Sequence, residues 1–112
     1  MRTVDVTGRA VYLSGKMTGD QHYRQKFQEV AQMLRKHGAI VLHTADMQPG
    51  LDYESYMRVS FAMIGVCDSI YLIGDWHDSP GSRRERRYAE QLGLDVFCEG
   101  VDRIEGGDMS EF

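Results

Sequence analysis

The stretch S-P-G-S-R-R-E-R-R-Y-A-E-Q-L at residues 79–92 places one carboxylate, Glu85, in the same helical stripe as Gly81, Tyr88, Ala89 and Leu92. Arg83, Arg84, Arg86 and Arg87 fall mostly on other faces. A carboxylate among apolar neighbours is costly unless it is paired or faces a wet cavity. Two readings follow: a structural ion pair with a neighbouring arginine, or a side chain that looks into a crevice and does chemistry there. Ser79 and Pro80 add a second component, because a serine N-cap followed by a proline without an N–H is a strong helix start. The orphan N–H groups at such a tip suit a phosphate. A carboxylate held near a sugar phosphate can attack an anomeric carbon, as retaining glycosidases do when they form a glycosyl intermediate.

The other residues able to do chemistry are fewer. Gly15-Lys16-Met17-Thr18-Gly19 follows a short apolar run and lets backbone N–H groups approach an anion, although its spacing matches neither the dinucleotide fingerprint nor the P-loop. His43 stands at a strand end, where a hydrogen-bonded structural role competes with that of a general base. Cys67 and Cys98 lack a CxxC arrangement and border apolar runs, which makes them reduced core thiols. No metal-ligand spacing is present, so neither a metal nor a cofactor is expected.

The elements that must position these groups alternate. Apolar runs at 10–13, 39–42, 70–73 and 95–98 read as buried strands. Amphipathic helices are expected over 20–37 (Tyr23, Phe27, Val30, Ala31 and Leu34 inward, Gly38 as the stop), over about 52–65 (Tyr53, Met57, Phe61 and Ile64 inward, with Ser60 on that face) and from about Pro80. The pattern predicts an α/β, Rossmann- or flavodoxin-like three-layer sandwich with a parallel sheet of four, possibly five, strands in the order 2-1-3-4. Ligands of open α/β sheets bind at the carboxyl ends of the strands flanking the switch point, here the first and third. That brings Tyr12, Gly15, Ser79, Gly81 and Glu85 around one crevice. One domain is expected over residues 1–98, and the acidic, glycine-rich 99–112 is expected to be a loose tail, or ordered only against another subunit.

Composition limits the partners. The formal charge of −4 and pI near 5.5 argue against a nucleic-acid polymer, and the arginine cluster at 83–87 reads as a solvated helix face. No apolar leader opens the sequence and no stretch approaches a membrane span, so a cytoplasmic protein is expected. A response-regulator receiver, also built on this strand order, needs carboxylates where Ser14-Gly15 and Ile73-Gly74 stand.

Y-L-S-G-K-M-T-G at Tyr12–Gly19, C-D-S-I-Y-L at Cys67–Leu72 and S-P-G-S-R-R-E at Ser79–Glu85 together resemble the nucleoside 2-deoxyribosyltransferase-like superfamily, and most closely its small, often phage- or prophage-encoded branch, which tends to carry a tryptophan where Trp76 stands. The resemblance covers roughly 11–97. It implies cleavage of the N-glycosidic bond of a deoxynucleoside or its 5′-monophosphate, with the sugar passed to another base or to water. Glu85 matches the family's catalytic glutamate and Tyr12 the tyrosine near the sugar. Ser79 matches the serine that binds the 5′-phosphate, joined in that role by Gly15, Lys16, Met17, Gly81 and Ser82. G-S-x-x-E at Gly81–Glu85 is also similar to the G-T-x-x-E of lysine-decarboxylase-like phosphoribohydrolases. The superfamily usually has an aspartate eight residues before the one that opens the third strand; counting back from Asp68 gives Ser60. The acid that serves the base must then come from elsewhere, with Asp46 and Asp78 as candidates by position, or be absent, which leaves a slow enzyme or a non-catalytic nucleotide-binding protein. A homodimer or larger assembly is expected, since so small a domain has few side chains with which to close a site.

Overall fold

The computed structural model describes residues 1–107. The strands are β1 (Arg2–Asp5), β2 (Ala10–Ser14), β3 (Ile40–Leu42), β4 (Ser69–Leu72), β5 (Asp95–Cys98) and β6 (Asp102–Glu105), and the helices are α1 (Tyr23–Lys36), α2 (Tyr53–Gly65) and α3 (Pro80–Gln91). A 3-10 turn at Trp76–Asp78 leads into α3. The α/β sandwich read from the sequence is the one found. Its central sheet runs β3-β2-β4-β5 with every pair parallel, which is the order 2-1-3-4 of the four expected strands.

Period-two alternation divides the two faces of that sheet. Val11, Leu13, Val41, Tyr71, Ile73 and Phe97 pack toward α1, which contributes Phe27, Val30, Ala31 and Leu34. Tyr12, Ile70 and Leu72 pack toward α2 and α3 with Ile64, Trp76 and Ala89. Helix α1 starts at Tyr23 rather than at residue 20, because Asp20 is held in a turn that accepts the N–H of His22. Asp52 caps α2 through Ser55 N–H, and Ser79 caps α3 through Ser82 N–H, with Pro80 at the first helical position. Leu92, assigned to the inward stripe of α3, is 49% exposed, and Ser82 is buried instead. Tyr53, likewise assigned inward on α2, is exposed. Cys67 is buried and Cys98 half-buried, and both are free thiols.

The ends of the chain depart from expectation. Residues 2–5, read as a polar lead-in, and 102–105, read as part of a loose tail, pair with each other as a second, two-stranded parallel sheet. Val4 and Val6 join the core, and Ile104 packs against it. Asp102 ties this sheet to the main one by accepting Arg2 Nε at 2.9 Å and the Cys98 N–H at 2.8 Å. Arg2 also donates to the Val96 carbonyl. The glycines beyond β6 reflect close approach rather than looseness: a Cβ on Gly106 would lie 2.1 Å from the His37 carbonyl oxygen at the end of α1. The partners lie about a hundred positions apart, so no local pattern announces them. The last part of the expected tail, 108–112, lies outside the described residues. Among the described residues, no helix is long and apolar enough to cross a membrane.

Gly106→Ala is expected to destabilise the protein by about 1–3 kcal/mol, because backbone must move to admit the methyl group. Urea denaturation followed by far-UV circular dichroism measures this. A midpoint equal to that of the wild type contradicts the close packing of β6 on α1.

Candidate functional site

The carboxyl ends of β2 and β4 flank the point where the chain crosses from one side of the sheet to the other. Beyond them opens a cavity of about 580 Å3, within the range of small-molecule sites. Its wall includes Tyr12, Gly15, Lys16, Met17, Asp78, Ser79, Gly81, Ser82 and Glu85, so the two glycine-bearing loops and the α3 tip lie at the same end of the sheet. Lys26 joins those loops: its Nζ donates to the Lys16 carbonyl at 3.1 Å, to Asp20 at 2.8 Å and to Asp75 at 3.1 Å.

Glu85, the sixth residue of α3, lies on its second turn and is 6% exposed. Among the described residues it takes part in no ion pair, which removes the arginine-pairing alternative. The arginines around it are engaged elsewhere: Arg84 with Glu54, Arg86 with Glu90 and the Trp76 ring, and Arg83 with the His77 carbonyl. Hydroxyls take their place. Tyr12 donates to Glu85 Oε2 at 2.6 Å and Ser14 donates to Oε1 at 2.7 Å. Ser14 Oγ in turn lies 2.5 Å from Ser82 Oγ. Tyr12 and Ser14 share a face of β2 because they are two residues apart, and that face meets α3. Burial pushes the Glu85 carboxyl above its usual range, against the hydrogen bonds from Tyr12 and Ser14 that favour the charged form. Burial and the adjoining Glu85 raise the Tyr12 phenol well above its usual value, so it stays a donor.

Each candidate has a definite place. Ser79 accepts the Ser82 N–H and keeps its own O–H for a ligand at the helix tip. Gly81 presents backbone to the cavity; a Cβ there would sit 3.6 Å from Met57 Sδ and 3.8 Å from the Tyr53 hydroxyl. The hydroxyl of Ser82, expected on phosphate, is occupied by Ser14. Met17 reaches the cavity, but its sulfur accepts from the Tyr56 hydroxyl at 3.1 Å. Asp78 is exposed at the cavity wall. Asp46 does not line the cavity; the exposed loop turns its carboxylate toward His43, 3.9 Å from Nε2. Ser60 is buried behind the wall, where it donates to the Met57 carbonyl. His43 is likewise structural: its Nδ1 accepts the Ala45 N–H, its ring packs on Phe27, and burial lowers its pKa.

Three polar residues escaped the sequence reading. Ser14 carries a signal, being two positions after Tyr12 on the same strand face. Thr44 follows Leu42 by the same interval, beyond the end of β3. Tyr56 precedes Ser60 by four residues, hence on the same side of α2. Thr44 and Tyr56 both line the cavity and are hydrogen-bonded to each other. Tyr23, Phe27, Met47, Tyr53 and Met57 complete a largely aromatic and thioether lining.

Residues 9–98 match the family described as "Domain of unknown function (DUF4406)". No curated protein matches the chain. Among solved structures the chain is similar to a "2-desoxiribosyltransferase from Leishmania mexicana", with 17% sequence identity, a TM-score of 0.65 and 80% of this chain covered. This chain spans 63% of that structure's length. The likeness is one of fold.

A carboxyl whose folded pKa stands above its unfolded value binds more protons when folded, so stability falls as pH rises between the two values. Glu85→Gln removes that term and keeps the side-chain shape. The variant is expected to melt about 2–5 °C above the wild type near pH 8, with the gap closing toward about pH 5. Differential scanning calorimetry reads this, and a variant that melts lower near pH 8 contradicts it.

Proposed function

Starting from a chain that belongs to the DUF4406 family and carries a deoxyribosyltransferase fold, we propose that it cleaves the N-glycosidic bond of a deoxynucleoside or deoxynucleoside 5′-monophosphate and passes the deoxyribosyl group to water or another base. The observation that carries this reading is Glu85: a buried carboxyl free of cationic partners, fixed by two hydroxyls at the wall of an open cavity. A buried carboxyl is costly to keep, and one without a cation is hard to explain as a stabilising feature. As a nucleophile it attacks C1′ while the base leaves, and the ester is then opened by the acceptor. Tyr12 and Ser14 hold its oxygens in a fixed orientation, which leaves one carboxylate edge for the sugar. The α3 tip at Ser79 and Gly81, with Lys16 from the facing loop, supports a 5′-phosphate. The aromatic and methionine lining supports a planar base.

Ser60, standing where a carboxylic acid is usual, favours a second reading, a nucleotide-binding protein without turnover. Incubation with a panel of deoxynucleosides and their monophosphates, followed by chromatography for free base, separates the two. The glycosidase reading predicts base release that falls by about 10³-fold or more in Glu85→Gln, as when other nucleophiles are removed. Tyr12→Phe is expected to cost about 10- to 100-fold, the worth of one hydrogen bond to a charged group. Thermal stabilisation by the same compounds without base release supports the binder.

A further inference from the structure

Two loops of the cavity wall converge on a side chain that does not itself line the cavity. At their roots the Ile73 N–H donates to the Ser14 carbonyl at 2.8 Å. Further out stands Lys26, on the first turn of α1, with its side chain 23% exposed. Its ammonium draws partners from both loops. On the loop after β2 it donates to the Lys16 carbonyl at 3.1 Å and to Asp20 Oδ2 at 2.8 Å. On the turn after β4 it donates to both oxygens of Asp75 at 3.1 Å. An ammonium has three N–H donors, and these three residues engage them all. Asp75 in turn leads into the α3 tip: its carbonyl accepts the Asp78 N–H at 3.1 Å, and Ser79 follows at once.

The bond to the Lys16 carbonyl fixes a peptide plane as well as a distance. In a trans peptide the C=O and the N–H that follows it point in opposite directions. With the Lys16 carbonyl turned to the ammonium, the Met17 N–H is turned away from it. Lys16 and Met17 both line the cavity, and among the described residues the Met17 N–H meets no protein acceptor. Charge adds a second effect. Asp20 and Asp75 place two carboxylates behind loops whose cavity side carries Lys16, and Lys26 offsets one of them.

We propose that Lys26 is a positioning residue for the substrate's 5′-phosphate: it holds the glycine loop and the α3 tip at one separation and aims the Met17 N–H, with Lys16 beside it, at the anion. The inference rests on the substrate reading given above, through its phosphate rather than its bond cleavage, and it makes the monophosphate the preferred ligand. Lys26 acts only through the loops. Tyr12, Ser14 and Glu85 are held by bonds of their own, so its loss leaves the reacting carboxyl in place. A lone exposed ion pair has little effect on anything. Here one ammonium joins two loops from a largely covered position, and what it controls is their spacing.

The test compares deoxynucleoside 5′-monophosphates with the parent deoxynucleosides in base release, and adds calorimetric titration with 2-deoxyribose 5-phosphate, which has no base to lose. Lys26→Met keeps most of the side-chain length and removes every donor. It is expected to raise KM for the monophosphate and Kd for the sugar phosphate by about 10- to 100-fold, the worth of a bond to a charged group. KM for the deoxynucleoside and kcat for either substrate should stay within about 3-fold, the pattern of lost binding rather than lost chemistry. Lys26→Arg, which can still pair with both carboxylates, is expected to recover part of the affinity. Asp75→Asn, which spares the carbonyl bond, should fall between wild type and Lys26→Met, and these two variants read the same split if Lys26→Met does not fold. Equal rises in KM for both substrates, no rise for either, or a wild type that gains nothing from the phosphate overturns the role of Lys26. In that event base release sensitive to Glu85→Gln leaves the glycosidase reading standing. Sugar-phosphate binding that depends on Lys26, without base release from any substrate, upholds the role of Lys26 and ends the glycosidase reading. A wild type that neither binds the sugar phosphate nor releases base ends both.

Discussion

The hydrogen bonds from Tyr12 and Ser14 to the two oxygens of Glu85 are the interaction on which the site depends. They couple α3 to β2 at the level of the cavity and give a buried carboxyl partners that are not cations. A salt bridge at this place would make Glu85 inert; hydroxyls orient it and leave its basicity to be set by burial. Among the described residues, each buried side-chain oxygen or nitrogen has a partner, so the polar cluster is closed on the protein side and open only to the cavity.

The fold makes that arrangement possible through ordinary means. Strand β2 occupies an inner position between β3 and β4, and Tyr12 and Ser14 alternate with Val11 and Leu13, which fill the opposite face. The polar groups thus project at the carboxyl end of a strand whose other side is core. Helix α3 begins where Ser79 and Pro80 dictate, so Glu85 falls on the turn that faces β2. Lys26 and its two aspartates then fix the loops on either side. Loops carry the contacts to a ligand while strands and a helix hold the reacting groups, a division that favours precision at the chemistry and latitude in recognition.

Much of this is legible in local pattern. Hydrophobic period gives the four central strands and three helices, the cap residues give the start of α3, and right-handed crossovers bring Tyr12, Gly15, Ser79, Gly81 and Glu85 together. What escapes is non-local or degenerate. The β1–β6 pair joins the two ends of the described chain, and an acidic, glycine-containing strand has the composition of a loose segment. Whether Glu85 meets arginine or hydroxyl depends on where Glu54 and Glu90 stand to draw the arginines away, which no spacing rule reveals. Asp46 sits in a loop and Asp78 in the short 3-10 turn before α3, where sequence position says little about direction; one turns from the cavity and the other reaches its wall. Thr44 and Tyr56 resemble ordinary loop and helix residues until the cavity joins them.

The central claim is that the Glu85 carboxylate forms a bond to C1′, and intact-protein mass spectrometry tests it most directly. A deoxynucleoside bearing fluorine at the 2′ position slows both steps by destabilising the oxocarbenium-like transition state, so that an ester intermediate can accumulate. The account predicts a mass increase of one fluorodeoxyribosyl group, mapped by peptide digestion to Glu85 and absent in Glu85→Gln. Release of the base with no adduct on the protein, or an adduct on any other residue, contradicts it.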